Sequence, residues 1–80
     1  MVEVEFYGLA RRRAGVAGTA VAAGTVRAAL AEVARAFPAL NDLAGKHFLV
    51  SINGERFVAD GDEPIPDGSR LLIFSADAGG

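Results

Sequence analysis

Thr25-Val26-Arg27-Ala28-Ala29-Leu30-Ala31-Glu32-Val33-Ala34-Arg35-Ala36-Phe37 is the one long helical stretch in this chain of 80 residues, and the rest of the sequence has to be fitted around it. Thr25 is a good N-cap, because a hydroxyl there can accept a hydrogen bond from an unsatisfied amide of the first turn. Val26, Ala29, Leu30, Val33 and Phe37 follow at helical spacing, while Arg27, Glu32 and Arg35 fall elsewhere on the wheel. Arg35 suits the negative end of the helix dipole. Pro38 disfavours helical geometry at Phe37, so the helix is predicted to stop there, with room for one short helical turn in Ala39 to Ala44.

On either side of this helix the chain reads as strands. Val2, Val4 and Phe6 alternate with Glu3, Glu5 and Tyr7, the period of a strand with one face in a core. Gly8 breaks it, and Leu9 to Ala14 has enough Arg and Ala for one or two helical turns before Gly15. Thr19 to Ala23 reads as a weaker second strand, reached through a hairpin turn around Gly15 to Gly18. Beyond the helix, His47 to Asn53 places Phe48, Val50 and Ile52 on one face and His47, Leu49, Ser51 and Asn53 on the other. Asn53-Gly54 is a strong hairpin signal, Arg56 to Ala59 is the returning strand, and Arg70 to Ser75 is the last. An order β-β-α-β-β-β with a lone long helix is satisfied by a mixed sheet of about five strands wrapped over that helix. This is an α+β architecture, the β-grasp or ubiquitin-like fold. One helix covers one sheet face, so Leu72 and Phe74, which alternate with Leu71 and Ile73, are expected on the uncovered face as a partner-docking patch.

Composition narrows the chemistry. The absence of Cys excludes disulfides and thiolate metal sites and removes any side-chain thiol as nucleophile or sulfur carrier. His47 is the only histidine, which rules out a multi-His metal site, and it reads as an ordinary strand-start residue. Neither glycine-rich phosphate loop is present. Asp60, Asp62 and Glu63 briefly suggest a calcium loop, but Pro64 occupies the position where the next oxygen ligand belongs. A net charge of −2 gives no broad basic field, so nucleic acid is not an expected partner. The exception is Arg11-Arg12-Arg13, which reads either as a solvated turn or as a docking patch for an acidic partner. Without a basic start before Glu3 and Glu5, and without an apolar run of about 20 residues, the expected protein is cytoplasmic, with no membrane partner.

What remains is the end of the sequence. Residues 1–75 make the expected domain, and 76–80 a tail with no bulky apolar anchor, expected to be mobile and ending in Gly79-Gly80. Two glycines give a backbone slim enough to thread a narrow slot, and the segment from Ser75 to Gly80 can reach roughly 20 Å when extended. The Gly80 carboxylate is the only group in the chain that reads as a reacting centre.

Taken together, Val4-Glu5-Phe6-Tyr7 running into Leu9-Ala10-Arg11, Val50-Ser51-Ile52-Asn53-Gly54, Ile65-Pro66-Asp67-Gly68-Ser69 and Gly79-Gly80 resemble the prokaryotic ubiquitin-like sulfur carriers. The length and the segment up to Arg11 are more similar to the small subunit of molybdopterin synthase (MoaD-like) than to the thiamine-pathway carrier (ThiS-like). The resemblance implies a protein substrate, not an enzyme. A ubiquitin-activating-type adenylyltransferase spends ATP to adenylate the Gly80 carboxylate, and a sulfur donor protein converts it to a thiocarboxylate. The acceptor is an enzyme such as the molybdopterin synthase large subunit. No cofactor is bound permanently. Phe74 resembles the aromatic that these small subunits carry before the tail to pack on partners, and Arg11 a basic docking position. Ser75-Ala76-Asp77-Ala78 departs from the more apolar, proline-containing stretch of the molybdenum-pathway carriers. Similar carriers serve cysteine, thiamine, thiolated tRNA or secondary metabolites, and a ubiquitin-like modifier would use Gly80 to join target lysines.

Overall fold

Val2, Val4 and Phe6 enter the core while Glu3 and Glu5 face away from it, so the alternation of the first strand separates two sheet faces. The computed structural model describes residues 1–41, 48–58 and 60–75. In chain order these form β1 (Val2–Phe6), α1 (Leu9–Ala14), β2 (Gly18–Val21), α2 (Val26–Ala36), a 3-10 turn (Pro38–Leu40), β3 (Phe48–Ile52), β4 (Arg56–Phe57) and β5 (Arg70–Ser75). The five strands lie in the order β2-β1-β5-β3-β4. β1 is antiparallel to β2 and parallel to β5, whereas β3 is antiparallel to both β5 and β4. This is the mixed β-grasp sheet that the order of segments requires. No helix among the described residues is long and apolar enough to cross a membrane.

One core lies between α2 and the sheet. From α2 it takes Val26, Ala29 and Val33, from β1 Val2, Val4 and Phe6, and from β5 Leu71 and Ile73, which are wholly buried. Phe37 packs edge-on against Phe6 with ring centroids 5.4 Å apart. The Thr25 side chain caps α2 by accepting from Ala28 N at 3.2 Å. The start of the helix is also tied to the loop before β5, through Val26 N to Glu63 O at 3.0 Å and Ile65 N to Gly24 O at 2.9 Å. Asn53 and Gly54 stand at φ 56° and 72°, the pair of positive values that a primed hairpin turn needs, and Glu55 N closes the turn onto Ile52 O at 3.0 Å.

Several boundaries differ from the sequence reading. The link between β1 and β2 is no tight hairpin at Gly15 to Gly18. It is the whole of residues 7–17, with α1 docked inside it through the fully buried Ala10 and stopped at Gly15 in the left-handed conformation. β2 ends at Val21 and not Ala23, because Val21 pairs with Val2 and β1 offers no residue beyond it. β4 is only Arg56–Phe57, although Val58 N still reaches Val50 O at 2.8 Å. The short turn expected in Ala39 to Ala44 is the 3-10 turn, which begins at Pro38 and plugs the core with Leu40. Residues 42–44, His47, Ala59 and the expected tail at 76–80 lie outside the described residues.

Gly18 is set by space. A Cβ there would stand 2.5 Å from the Val4 carbonyl oxygen, whereas at Gly24 it would meet nothing within 4 Å. Gly18→Ala is therefore expected to destabilise the fold by about 1–3 kcal/mol through forced separation of β1 and β2. Gly24→Ala should be neutral or slightly stabilising. Urea denaturation of the two variants checks the contrast, and equal stabilities would contradict it.

Candidate functional site

The face that α2 leaves uncovered is assembled by register. Leu49 stands opposite Phe74, Ser51 opposite both Leu72 and Phe57, and Glu5 opposite Leu72, so alternate residues of four strands share this surface. Tyr7 follows β1 and its ring stacks on Phe74, with centroids 4.9 Å apart and planes 13° from parallel. From the other side Phe57 meets Phe74 edge-on at 6.3 Å. Phe74 is thereby the centre of an aromatic cluster that remains open to solvent: Tyr7 is 38 % exposed, Leu49 43 % and Phe57 60 %. An exposed cluster of this kind has no stabilising role that requires it to face water, and it fits the buried centre of an interface.

The other end of the same face is charged. Arg70 Nε lies 2.8 Å from Glu5 Oε2 and 4.0 Å from Glu3 Oε2. The Tyr7 hydroxyl donates to Glu5 Oε1 at 2.5 Å, so Glu5 joins the charged end to the aromatic one. Asn53 secures the start of β5 from both sides, donating from its amide to Arg70 O at 2.7 Å and accepting from Arg70 N at its Oδ1 at 2.9 Å. The hydrogen bond to Glu5 holds the Tyr7 phenol above its ordinary 10.0, aided by slight desolvation and the Glu5 charge and opposed by Arg70.

Leu72 and Phe74 occupy the open face as their alternation predicts. Arg11 belongs to a different surface: it projects from α1 and lines a shallow groove with Arg12, Gly15, Val16 and Ala17. Arg13 turns to the Phe48 ring, its guanidinium carbon 5.7 Å from the centroid. Gly79 and Gly80 lie outside the described residues, as does His47. Among the described residues no group of three or more His, Asp or Glu side chains is placed to hold a metal. Tyr7, Leu49 and Phe57 are site residues that sequence reasoning did not single out. The outward phase of Tyr7 and Leu49 is readable in the alternation of β1 and β3, whereas Phe57 stands on a strand of two residues, and the convergence of all three on Phe74 depends on which strands pair.

The same fold recurs in solved structures. The small archaeal modifier protein SAMP1 of Haloferax volcanii superposes with a TM-score of 0.83 at 26% identity, over 99% of this chain and 98% of that one. The chain has the ubiquitin-like β-grasp fold. The small archaeal modifier protein 1 of Methanosarcina acetivorans aligns with a TM-score of 0.82 at 21% identity, over 99% of this chain and 95% of its own. A chain of the Amycolatopsis orientalis BexX/CysO complex aligns with a TM-score of 0.82 at 20% identity over the full length of both. These neighbours are ubiquitin-like proteins of the MoaD/ThiS-like kind, which this chain resembles. No family model and no curated protein sequence matches the chain.

Tyr7 is the sole tyrosine and there is no tryptophan, so its ionisation can be followed directly by ultraviolet absorbance. A phenol whose folded pKa is raised adds stability that is complete below its unfolded value and is lost as pH rises through the folded one. Glu5→Gln should shift the titration midpoint down toward 10.0. An unchanged midpoint would show that Glu5 does not hold the phenol.

Proposed function

We propose that this chain is a sulfur carrier, a protein substrate whose Gly80 carboxylate is activated by adenylation and then carries sulfur as a thiocarboxylate. The observation that carries the reading is the open aromatic cluster centred on Phe74, which stands on the last strand, only a few residues ahead of Gly79-Gly80 in the sequence. A partner that buries this cluster receives the segment after Ser75 at a defined place on its own surface. The likeness to ubiquitin-like carriers and modifiers over nearly the whole chain supports the same reading.

The chemistry follows from the nature of a carboxylate. An ionised carboxyl group resists nucleophiles, so it must first attack the α-phosphate of ATP, with pyrophosphate leaving, to become a mixed anhydride. A persulfide of the donor protein then adds through its outer sulfur at the Gly80 carbonyl carbon and AMP departs with one carboxyl oxygen, and a partner thiol attacks the inner sulfur of the resulting acyl disulfide, forming a new disulfide with it and releasing the thiocarboxylate. The delivered sulfur stays on that carbon in place of one oxygen, and the acceptor enzyme, such as a molybdopterin synthase large subunit, takes it from there. Adenylation and sulfur transfer belong to partner enzymes, and this chain contributes the reacting carboxyl, the slim Gly79 before it and the docking surface of Leu72 and Phe74. ATP is consumed by the activating enzyme, with no cofactor held by the carrier.

Incubation with an activating enzyme proven on its own carrier, ATP and a sulfur donor should exchange one oxygen of the chain for sulfur, read by intact mass. Removal of Gly80 should abolish the exchange and leave the fold intact. Phe74→Ala should lower kcat/KM for activation by about tenfold or more, as expected for the centre of an interface. Full activation of the Gly80-deleted chain would overturn the proposal. The likeness to small archaeal modifier proteins favours one further reading, attachment of Gly80 to lysines of other proteins. Its signature is a branched peptide in which Gly79-Gly80 is joined to a target lysine.

A further inference from the structure

We propose that the free edge of β2, together with Arg11 and Arg12, is a docking site for an extended acidic segment of a partner protein, which adds to the sheet as a further strand. The inference rests on the edge of the sheet and its charges, and stands independently of the chemistry proposed for Gly80.

β2 is the outermost strand on its side of the sheet. Phe6 N donates to Ala17 O at 2.8 Å, and the register continues through Val4 opposite Thr19 and Val2 opposite Val21. In an antiparallel pair hydrogen-bonded positions alternate, so the peptide groups of Ala17, Thr19 and Val21 turn toward β1. Those of Gly18 and Ala20 turn outward, and both residues are exposed. Proteins usually blunt such an edge with a charge, a proline, a bulge or an extremely short strand. Here the run from Val16 to Gly24 contains neither charge nor proline. The opposite edge is treated differently: β4 has two residues, and its Arg56 is held by Glu63 at 2.7 Å.

The charges next to this edge select the occupant. Gly15, Val16 and Ala17 floor the groove beside Arg11 and Arg12 and lead directly into β2. Arg27, Arg35, Arg56 and Arg70 each have an acidic partner, Asp62, Glu32, Glu63 and Glu5 respectively. Arg11 and Arg12 have none among the described residues. A strand laid on Gly18 and Ala20 that carries acidic residues at the end next to α1 satisfies the outward peptide groups and neutralises both guanidiniums at once. A second copy of this chain fits less well, since residues 16–24 supply no acid and pairing two β2 edges leaves all four of these arginines uncompensated. Within the sheet β1 lies between the β2 edge and β5, which carries Phe74, and the outward peptide groups of Gly18 and Ala20 lie in the plane of the sheet, so a protein on the aromatic face leaves this edge accessible.

The test uses the full chain and a capped peptide, Asp-Glu-Asp-Val-Thr-Val-Thr-Val, followed by amide NMR. Binding should shift the Gly18 and Ala20 amides and slow their exchange with solvent. The double variant Arg11→Glu with Arg12→Glu should weaken binding at least about tenfold, and added salt should weaken it for the unaltered chain. Ala20→Pro removes an outward amide without touching a bond to β1, and should abolish binding while the fold persists. Phe74→Ala should leave binding unchanged. Shifts centred on Tyr7, Phe57 and Phe74, unaltered affinity in the double arginine variant, or no binding at millimolar peptide would each overturn the proposal. So would a dimer in sedimentation that Ala20→Pro dissolves, because the edge would then belong to a second copy.

Discussion

The packing of α2 on the inner face of the sheet is the contact on which the rest of the molecule depends. An 80-residue domain without disulfides has one core from which to draw its stability, and here that core is a single helical stripe against the central strands. Val26, Ala29 and Val33 share one cluster with the buried residues of β1, β5 and β3 and with Val21 of β2, while Ala10 from α1, Leu40 from the 3-10 turn and Ile65 from the loop before β5 complete it. Because these residues serve one face only, the sheet keeps a second face that no further helix among the described residues covers.

That second face is divided in use. Toward the end of β5 it is aromatic, with Phe74 between Tyr7 and Phe57, and toward the start of β5 it is ionic, with Arg70 beside Glu3 and Glu5. Exposed ion pairs add little to stability, yet they resist burial under an apolar surface. A partner that covers the aromatic end therefore has a preferred orientation, since sliding toward Arg70 would strip water from paired charges. Glu5 marks the border, bonded to Tyr7 on one side and to Arg70 on the other.

Much of this is legible in the sequence, and the rest is hidden for definite physical reasons. The stripe of α2, its Thr25 cap and its end before Pro38 are local properties, set within a turn or two of chain. So is the Asn53-Gly54 turn. The outward placement of Leu72 and Phe74 follows from alternation alone. What local pattern does not contain is pairing. That Tyr7 stacks on Phe74, that β2 stops where β1 runs out, and that Gly18 lies against the Val4 carbonyl depend on strands distant in sequence becoming neighbours. The sequence places the helical turns of α1 between the first two strands but does not show that they dock on the core, because only Ala10 and its burial distinguish a docked turn from a solvated one. The family resemblance makes Arg11 a docking position like Phe74, and its place beside the β2 edge separates it from Phe74.

The parallel pairing of β1 with β5 sets an order of events. Glu3 to Phe6 lie beside Arg70 to Ile73, so the middle of the sheet joins residues from the two ends of the described chain. During synthesis β1 is made first and β5 last, and until β5 has emerged β1 has only β2 for a neighbour while β3 and β4 form a detached hairpin. The step that closes the sheet also places Phe74 against Tyr7 and buries Leu71 and Ile73. A chain interrupted before β5 thus has neither a finished core nor an assembled aromatic cluster, and incomplete copies lack the surface by which a partner would select them.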